Sequence, residues 1–137
     1  MKINLALGEL PPNFTADPSS GIAEHHTGSV EMAPTMEYIE AAFQDARLGK
    51  PALMPFSDGV IPPTTLDKTL NPDGTHIMSL FTQWVPAEWA DAPPHTQELD
   101  AYADRLIDLY DQVAPGFKAR SCTATSSART RWSRSTA

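Results

Sequence analysis

One stretch of the sequence decides the fold: Asn71-Pro72-Asp73-Gly74-Thr75-His76-Ile77-Met78-Ser79-Leu80-Phe81-Thr82-Gln83-Trp84-Val85-Pro86. A Pro/Gly turn leads into a segment, Thr75 to Val85, whose residues are largely hydrophobic at both even and odd positions. The even set contains Met78, Leu80 and Trp84, and the odd set contains Ile77, Phe81 and Val85. This pattern is typical of a strand that is covered on both faces. We therefore predict that this segment is an interior strand of a large sheet. A chain of 137 residues that is so rich in loops would not supply a sheet of that size by itself.

Composition and charge limit the classes of function. The chain has the length of one domain, with 13 prolines and 8% aromatic residues. Residues 1–119, the body of the chain, contain all 17 Asp and Glu but only six Lys and Arg, so their net charge is −11. Residues 120–137, the tail, contain four Arg and carry a net charge of +4. This acidic body argues against nucleic acid or an anionic membrane as the main partner. No run is long enough for a transmembrane segment, and one cysteine, Cys122, excludes an internal disulfide, so we expect a cytoplasmic protein.

Three further segments are assigned from their patterns. Lys2 to Leu7 alternates polar and apolar residues, which predicts a half-buried strand. Residues 15–33 show no period and are predicted to form a loop. The run from Ala52 to Phe56 predicts an edge strand interrupted by Pro55.

Two amphipathic helices are predicted. The first begins after a cap at Thr35 and ends at Gly49, with Met36, Ile39, Phe43 and Ala46 on its buried face. The second is capped by Thr96 and ends at Pro115-Gly116. Its predicted buried stripe contains Leu99, Tyr102, Ala103, Leu106, Leu109, Tyr110 and Val113. The expected class is therefore α+β, with mixed or antiparallel strands and two main helices.

The order of these elements carries a resemblance to a known family. The residues that carry it are Lys2 to Leu7 with Leu10-Pro11, Tyr38 to Gly49, Ile61-Pro62, Leu66-Asp67, Gly74 to His76, Ser79 to Gln83 with Pro86, Asp100 to Arg105 and Ala114 to Lys118. Together they span nearly all of residues 1–119. In this order they resemble the phytoene dehydrogenase-like flavoproteins, an FAD-dependent branch of the amine-oxidase superfamily, and within it the pyridine nucleotide-disulfide oxidoreductase domain-containing protein 2 group.

The resemblance implies an oxidoreductase that passes a hydride from an apolar organic substrate to FAD. Residues 1–119 would be part of its substrate domain. The Gly-rich dinucleotide turn, G-x-G-x-x-G, that the family carries is absent from this sequence, and so is the family's second Gly-rich flavin segment. We therefore expect a fragment that binds no FAD and is inactive alone, with the missing flavin domain as a candidate partner.

The tail, residues 120–137, has no acid and little to bury, so its composition predicts disorder. Our hypothesis is that it is the product of a reading-frame shift. GC-rich codons for Arg120 to Ser133, read in another frame, would encode Val-Leu-His-Arg-Asp-Val-Leu-Gly-Pro-His-Glu-Met-Glu. That peptide resembles what family members have after their Ala-Pro-Gly-Phe-Lys motif.

Three residues are candidate substrate contacts: Phe81, Gln83 and Trp84. Gln83 and Trp84 project to opposite faces of the predicted strand, so one would line a cavity while the other packs below a helix. The simpler interpretation of Trp84, as core, stays open. No catalytic residue, cofactor ligand or metal site is identified, and Glu24-His25-His26 is predicted to be solvated.

One alternative of a different class is a non-catalytic interaction module. In that hypothesis the apolar strand completes a partner's sheet by edge pairing. A third is a carrier domain that binds an apolar ligand without chemistry.

Overall fold

The computed structural model describes residues 1–11, 26–70, 73–86, 89 and 95–127, with Thr96 and 121–127 described by their backbone alone. The elements in chain order are β1 (Lys2–Leu7), β2 (Ser29–Met32), α1 (Met36–Arg47), β3 (Phe56–Val60), a 3₁₀ turn (Lys68–Leu70), β4 (His76–Gln83), α2 (Thr96–Val113), α3 (Phe117–Arg120) and β5 (Ser121–Ser127). This is the α+β class that the sequence predicts. Within the described ranges, no helix is both long and apolar enough to cross a membrane.

The strands form one sheet in the order β2-β3-β4-β1-β5, and each neighbouring pair is antiparallel. The apolar segment of the opening stretch forms β4, the central strand, so the predicted interior position is confirmed. Two predictions about neighbouring strands need correction. The strand predicted at an edge begins only after Pro55 and, as β3, lies inside the sheet. Strand β2 lies within the predicted loop of residues 15–33, of which 15–25 fall outside the described residues.

The two faces of β4 differ in burial. Met78, Leu80 and Thr82 are at most 2% exposed, whereas Ile77 and Phe81 are 50% and 47% exposed. Among the residues that the structure describes, only one face of this apolar strand is therefore covered.

Helix α2 provides that cover. Its buried residues Tyr102, Ala103, Leu106 and Tyr110 confirm most of the predicted stripe. Ile107 is also buried, whereas Val113 is 44% exposed, because Ala114 and Phe117 take over the packing beyond the last turn. Thr96 is the first helical residue rather than the cap: His95 occupies the N-cap position, without a side-chain capping bond.

Two tyrosines attach α2 to the sheet. The Tyr102 hydroxyl lies 2.7 Å from Thr82 Oγ1, and the Tyr110 hydroxyl lies 2.9 Å from Ser57 Oγ. Ser57 and Thr82 are directly opposite each other on β3 and β4, so both tyrosines bind one cross-strand pair. Burial raises the pKa of Tyr102, and it raises the pKa of Tyr110 to about 12.

These raised values predict alkaline destabilisation. The fold favours the neutral phenols, so their contribution to stability is fully present below pH 10, the ordinary pKa, and is lost as pH rises through about 12. The variant Tyr102→Phe/Tyr110→Phe should lose about 1–3 kcal/mol at neutral pH but show a flatter decline above pH 10. Urea unfolding at a series of pH values measures both effects.

The third tyrosine, Tyr38, supplies the control. It is only half-buried, and its hydroxyl donates to the Pro55 carbonyl oxygen at 2.8 Å. Tyr38→Phe should therefore change the alkaline decline less than the double variant does. An alkaline decline of equal steepness in the double variant and the wild type would contradict the prediction.

Helix α1 begins and ends as predicted. Thr35 Oγ1 accepts from the Tyr38 amide at 3.1 Å, and Gly49 follows the helix with φ +68, in the left-handed region. Its predicted buried face needs correction, because Met36 is 76% and Phe43 41% exposed. Ala42 is instead fully buried, since its small side chain lets α1 pack closely against Ala52 and Tyr102.

The chain after Arg120 also differs from the prediction. Ser121–Ser127 forms β5, which pairs antiparallel with β1, although the composition predicts disorder there. Strand pairing is made by backbone N–H and C=O groups, so a segment with few apolar residues can still pair with the second edge of β1. Residues 128–137 lie outside the described residues.

Candidate functional site

The uncovered face of the sheet, which we call the open face, is the candidate site. Alternation along the strands and the pairing register place one set of side chains on it: Lys2, Asn4, Ala6, Glu31, Phe56, Asp58, Val60, Ile77, Ser79, Phe81 and Gln83. None of these residues is fully buried, in contrast to the residues on the α2 side of the same strands. The open face therefore combines apolar, charged and amide groups on rigid strands.

Phe81 lies at the centre of this face. Lys2 of β1 and Asp58 of β3 are its directly opposite neighbours, and Glu31 of β2 is opposite Asp58. The Lys2 ammonium lies 5.1 Å from the centroid of the Phe81 ring, within range of a cation–π contact. The ring thus has a cation on one side and carboxylates on the other.

A polar pair lies beside the ring. Ser79 Oγ donates to Asn4 Oδ1 at 2.8 Å, across the β1–β4 pair. The bond holds two polar side chains between the half-exposed Ile77 and Phe81. This arrangement offers apolar contact surface with hydrogen-bonding groups in between.

An aromatic cluster lies where β4 ends. The Trp84 ring lies 5.9 Å from Phe43 and 6.1 Å from Phe56, between centroids, in tilted and edge-on arrangements. The Trp84 backbone oxygen accepts from the Ala52 amide at 3.0 Å. Its Nε1 is buried and finds no hydrogen-bond partner among the residues that the structure describes. Trp84 therefore fixes Phe56, an open-face residue, against α1.

The three predicted site residues thus separate into two groups. Phe81 and Gln83 lie exposed on the open face, whereas Trp84 packs between Phe43 and Phe56. Sequence reasoning did not single out Phe43 or Phe56 as site residues. The helical spacing of Phe43 and the apolar run before Phe56 were visible, but no local pattern connects either residue to Trp84.

Two histidines occupy the opposite end of β4. His26 is 3% exposed and donates through Nε2 to the Pro11 carbonyl oxygen at 2.9 Å, which corrects the predicted solvation of this residue. His76 Nδ1 lies 3.2 Å from Thr64 Oγ1. Burial, and secondly the nearby His26, lower the pKa of His76. Glu24 and His25 lie outside the described residues, and the described ones include no cluster of three or more metal-ligating side chains.

The described residues do not fit FAD. Dinucleotide sites use a parallel βαβ unit whose Gly-rich turn leads into a helix N-terminus. Here every strand pair is antiparallel, and β2 connects to α1 through Ala33-Pro34-Thr35, without glycine. The described residues therefore lack the backbone arrangement of a dinucleotide site.

Known proteins show what this chain is similar to. It is 38% identical over 124 residues to "Pyridine nucleotide-disulfide oxidoreductase domain-containing protein 2" of Mus musculus, a match that covers 85% of this chain and 21% of that protein. The protein of the same name from Rattus norvegicus is 38% identical over 122 residues, with the same coverage. The chain thus spans about one fifth of the length of these curated relatives. No family model and no solved structure matches the chain. Both relatives are named for an oxidoreductase domain.

Proposed function

We propose that residues 1–119 form part of the substrate domain of a cytoplasmic FAD-dependent oxidoreductase, of the phytoene dehydrogenase-like branch of the amine-oxidase superfamily. The enzyme would transfer a hydride from an apolar organic substrate to the flavin. The observation that carries the proposal is the 38% identity over 85% of this chain to proteins named for an oxidoreductase domain. Because those proteins are about five times longer, other segments would hold the flavin.

The open face is the part of the proposed substrate site that this chain contributes. Phe81 and Ile77, each about half exposed, supply apolar contact, and Gln83 supplies an amide at the end of β4. Trp84 acts indirectly, by holding Phe56 in place. These roles are binding and positioning, because the open face has no arrangement of a nucleophile and an adjacent base among the described contacts.

The alternative of an interaction module needs correction in its mechanism. Strand β4 pairs with β1 on one side and β3 on the other, so its backbone groups are not available for edge pairing with a partner sheet. A partner would have to contact its open face. The carrier hypothesis uses the same face, and differs only in that no flavin domain takes part.

The origin of the tail remains a separate proposal. We propose that residues 120–137 are translated from a shifted reading frame. The nucleotide sequence tests this: a single-base change near codon 120 should restore a flavoprotein-like continuation, and the absence of any such change contradicts the proposal.

A chimera tests the proposed function. The matched segment of the mouse relative is replaced by the corresponding residues of this chain, and bound flavin is measured by visible absorbance after purification. We expect the unmodified relative to carry stoichiometric flavin and the chimera to retain it, because this segment would contribute to the substrate site and not to the cofactor site. Phe81→Ser and Gln83→Leu should leave bound flavin unchanged for the same reason.

The isolated chain is the matched control. Mixed with FAD and separated by gel filtration, it should carry no flavin, since the described residues do not form a dinucleotide site. A stoichiometric yellow complex of the isolated chain would contradict our assignment. A relative that carries no flavin itself, or a folded chimera that loses it, would contradict the function.

A further inference from the structure

Most of the exposed large apolar side chains lie away from the open face. Ten large hydrophobic residues of the described chain are prominently exposed, and five of these lie between residues 36 and 54. They are Met36 (76%), Phe43 (41%), Leu48 (70%), Leu53 (69%) and Met54 (42%). We call α1 together with residues 48–55 the α1 corner. Single exposed leucines need no explanation, but such a concentration is typical of an interaction surface.

The α1 corner is held together by specific bonds. Asp45 Oδ2 accepts from the Leu53 amide at 2.9 Å, and the Tyr38 hydroxyl donates to the Pro55 carbonyl oxygen at 2.8 Å. The segment after α1 therefore runs back along the helix. The Ala52 amide donates to the Trp84 carbonyl oxygen at 3.0 Å, which ties this segment to the end of β4. A surface fixed in this way loses little conformational entropy on binding.

The helix uses only part of its own apolar stripe: Phe43 packs on Trp84, and Ile39 is partly buried. An amphipathic helix normally packs that stripe on the core. In α1 the fully buried residue is Ala42, while Met36 and Phe43 remain exposed. The core of this chain therefore accounts for only part of the apolar surface of α1.

Charge and chain length indicate the partner. The α1 corner contains three carboxylates, Glu37, Glu40 and Asp45, and two cations, Arg47 and Lys50, so its charges are nearly balanced although the body is acidic. The matching surface would therefore be apolar at its centre, with charges of both signs at its rim. The relatives carry about four-fifths of their length outside the matched segment, so they contain the additional chain that such a surface requires.

We infer that the α1 corner is a docking surface for the remaining part of the same oxidoreductase. The surface adjoins the open face at Phe43, whose ring packs on Trp84, and its other four residues lie outside the open face. This inference rests on the proposed function, since it takes its partner from a protein of the relatives' length. It assigns the contact between domains to Met36, Phe43, Leu48, Leu53 and Met54.

Methionine oxidation tests the inference directly, because peroxide oxidises exposed methionines faster than buried ones. In the isolated chain, Met36 and Met54 should react quickly, and Met32 and Met78, at 8% and 0% exposure, slowly. In the flavin-bound chimera, Met36 and Met54 should react at least about tenfold more slowly than in the isolated chain. Peptide mass spectrometry after brief peroxide treatment gives each rate.

A matched pair of variants identifies the surface. Leu48→Ser/Leu53→Ser in the chimera should restore fast oxidation of Met36 and Met54. Leu66→Ser/Leu70→Ser changes two leucines of similar exposure, 69% and 55%, outside the α1 corner and should leave both methionines protected. Equal rates in the two variants would contradict the assignment.

The outcomes separate this inference from the proposed function. A flavin-bound chimera whose Met36 and Met54 react as fast as in the isolated chain overturns the docking surface and leaves the function standing. Protected methionines in a folded chimera without flavin support the docking surface and overturn the function. If Met36 and Met54 are already protected in the isolated chain and sedimentation shows a dimer, the partner is a second copy of this chain. If they are protected only on anionic lipid vesicles, the partner is a membrane surface. Either result overturns the inference. A chimera that does not fold counts against both.

Discussion

Leu80→Ala should lower the free energy of unfolding by about 2–5 kcal/mol, and Ile77→Ala by less than about 1 kcal/mol, although both residues are aliphatic and lie on the same strand. Leu80 is fully buried, opposite Ile3 of β1 and Gly59 of β3, and belongs to the core cluster beneath α2. Removing its methyl groups leaves a cavity that the surrounding side chains fill only partly. Ile77 is 50% exposed on the open face, so alanine there removes mainly strand propensity.

Urea unfolding followed by fluorescence measures both costs. Since small domains are only marginally stable, Leu80→Ala risks complete unfolding, and Leu80→Val provides a smaller change at the same position. We expect Leu80→Val to fall between the wild type and Leu80→Ala. Equal costs for Ile77→Ala and Leu80→Ala would mean that the open face is covered in solution, and would contradict the arrangement of the sheet.

This pair of positions also shows how far sequence reasoning extends. The apolar pattern of residues 75–85 correctly predicted a central strand, because periodicity and β-branched or aromatic composition are local properties. It also indicated two apolar faces. Which face would be covered is decided by the direction from which α2 crosses the sheet, and no local pattern contains that direction.

The same distinction explains the corrected elements. Thr35 and Gly49 correctly predicted where α1 begins and ends, because capping depends on neighbouring residues. The buried face of α1 was wrong, because it depends on contact of Ala42 with Ala52 and Tyr102, which are distant in sequence. Strand β5 was missed because pairing with β1 uses backbone groups, and the side-chain composition contains no signal for it.

Two residues of the candidate site were already predicted from the sequence of the strand itself. Phe81 and Gln83, two of the three predicted contacts, lie on one face of β4, as alternation along a strand requires. The roles of Lys2 and Asp58 as neighbours of Phe81 follow from strand order and register, which the sequence does not specify. The site could therefore be located in outline, and its charged neighbours required the structure.

Gly59→Ala should destabilise the fold by about 1–3 kcal/mol, even though alanine normally favours a strand over glycine. A Cβ at this position would lie 2.8 Å from the Tyr110 hydroxyl and 3.1 Å from Leu80 Cδ2, and it would also meet Met78 Cε. The end of the Met78 side chain is flexible and can move. The Tyr110 hydroxyl is held by Ser57 Oγ at 2.9 Å and by the Val30 carbonyl oxygen at 3.4 Å, so it has little freedom to shift.

Asp58→Ala is the matched control, since Asp58 is the preceding residue of β3 but is exposed on the open face. Its cost should stay within about 0.5 kcal/mol. A double-mutant cycle then tests the cause: in the Tyr110→Phe background the hydroxyl is gone, so Gly59→Ala should cost less there than in the wild type. Additive costs would show that the Tyr110 hydroxyl does not limit the space at Gly59. Coupled costs would establish that the absence of a side chain at Gly59 is required for the close approach of α2 to the sheet. Gly59 would then be necessary for the packing of α2 that covers one face of β4.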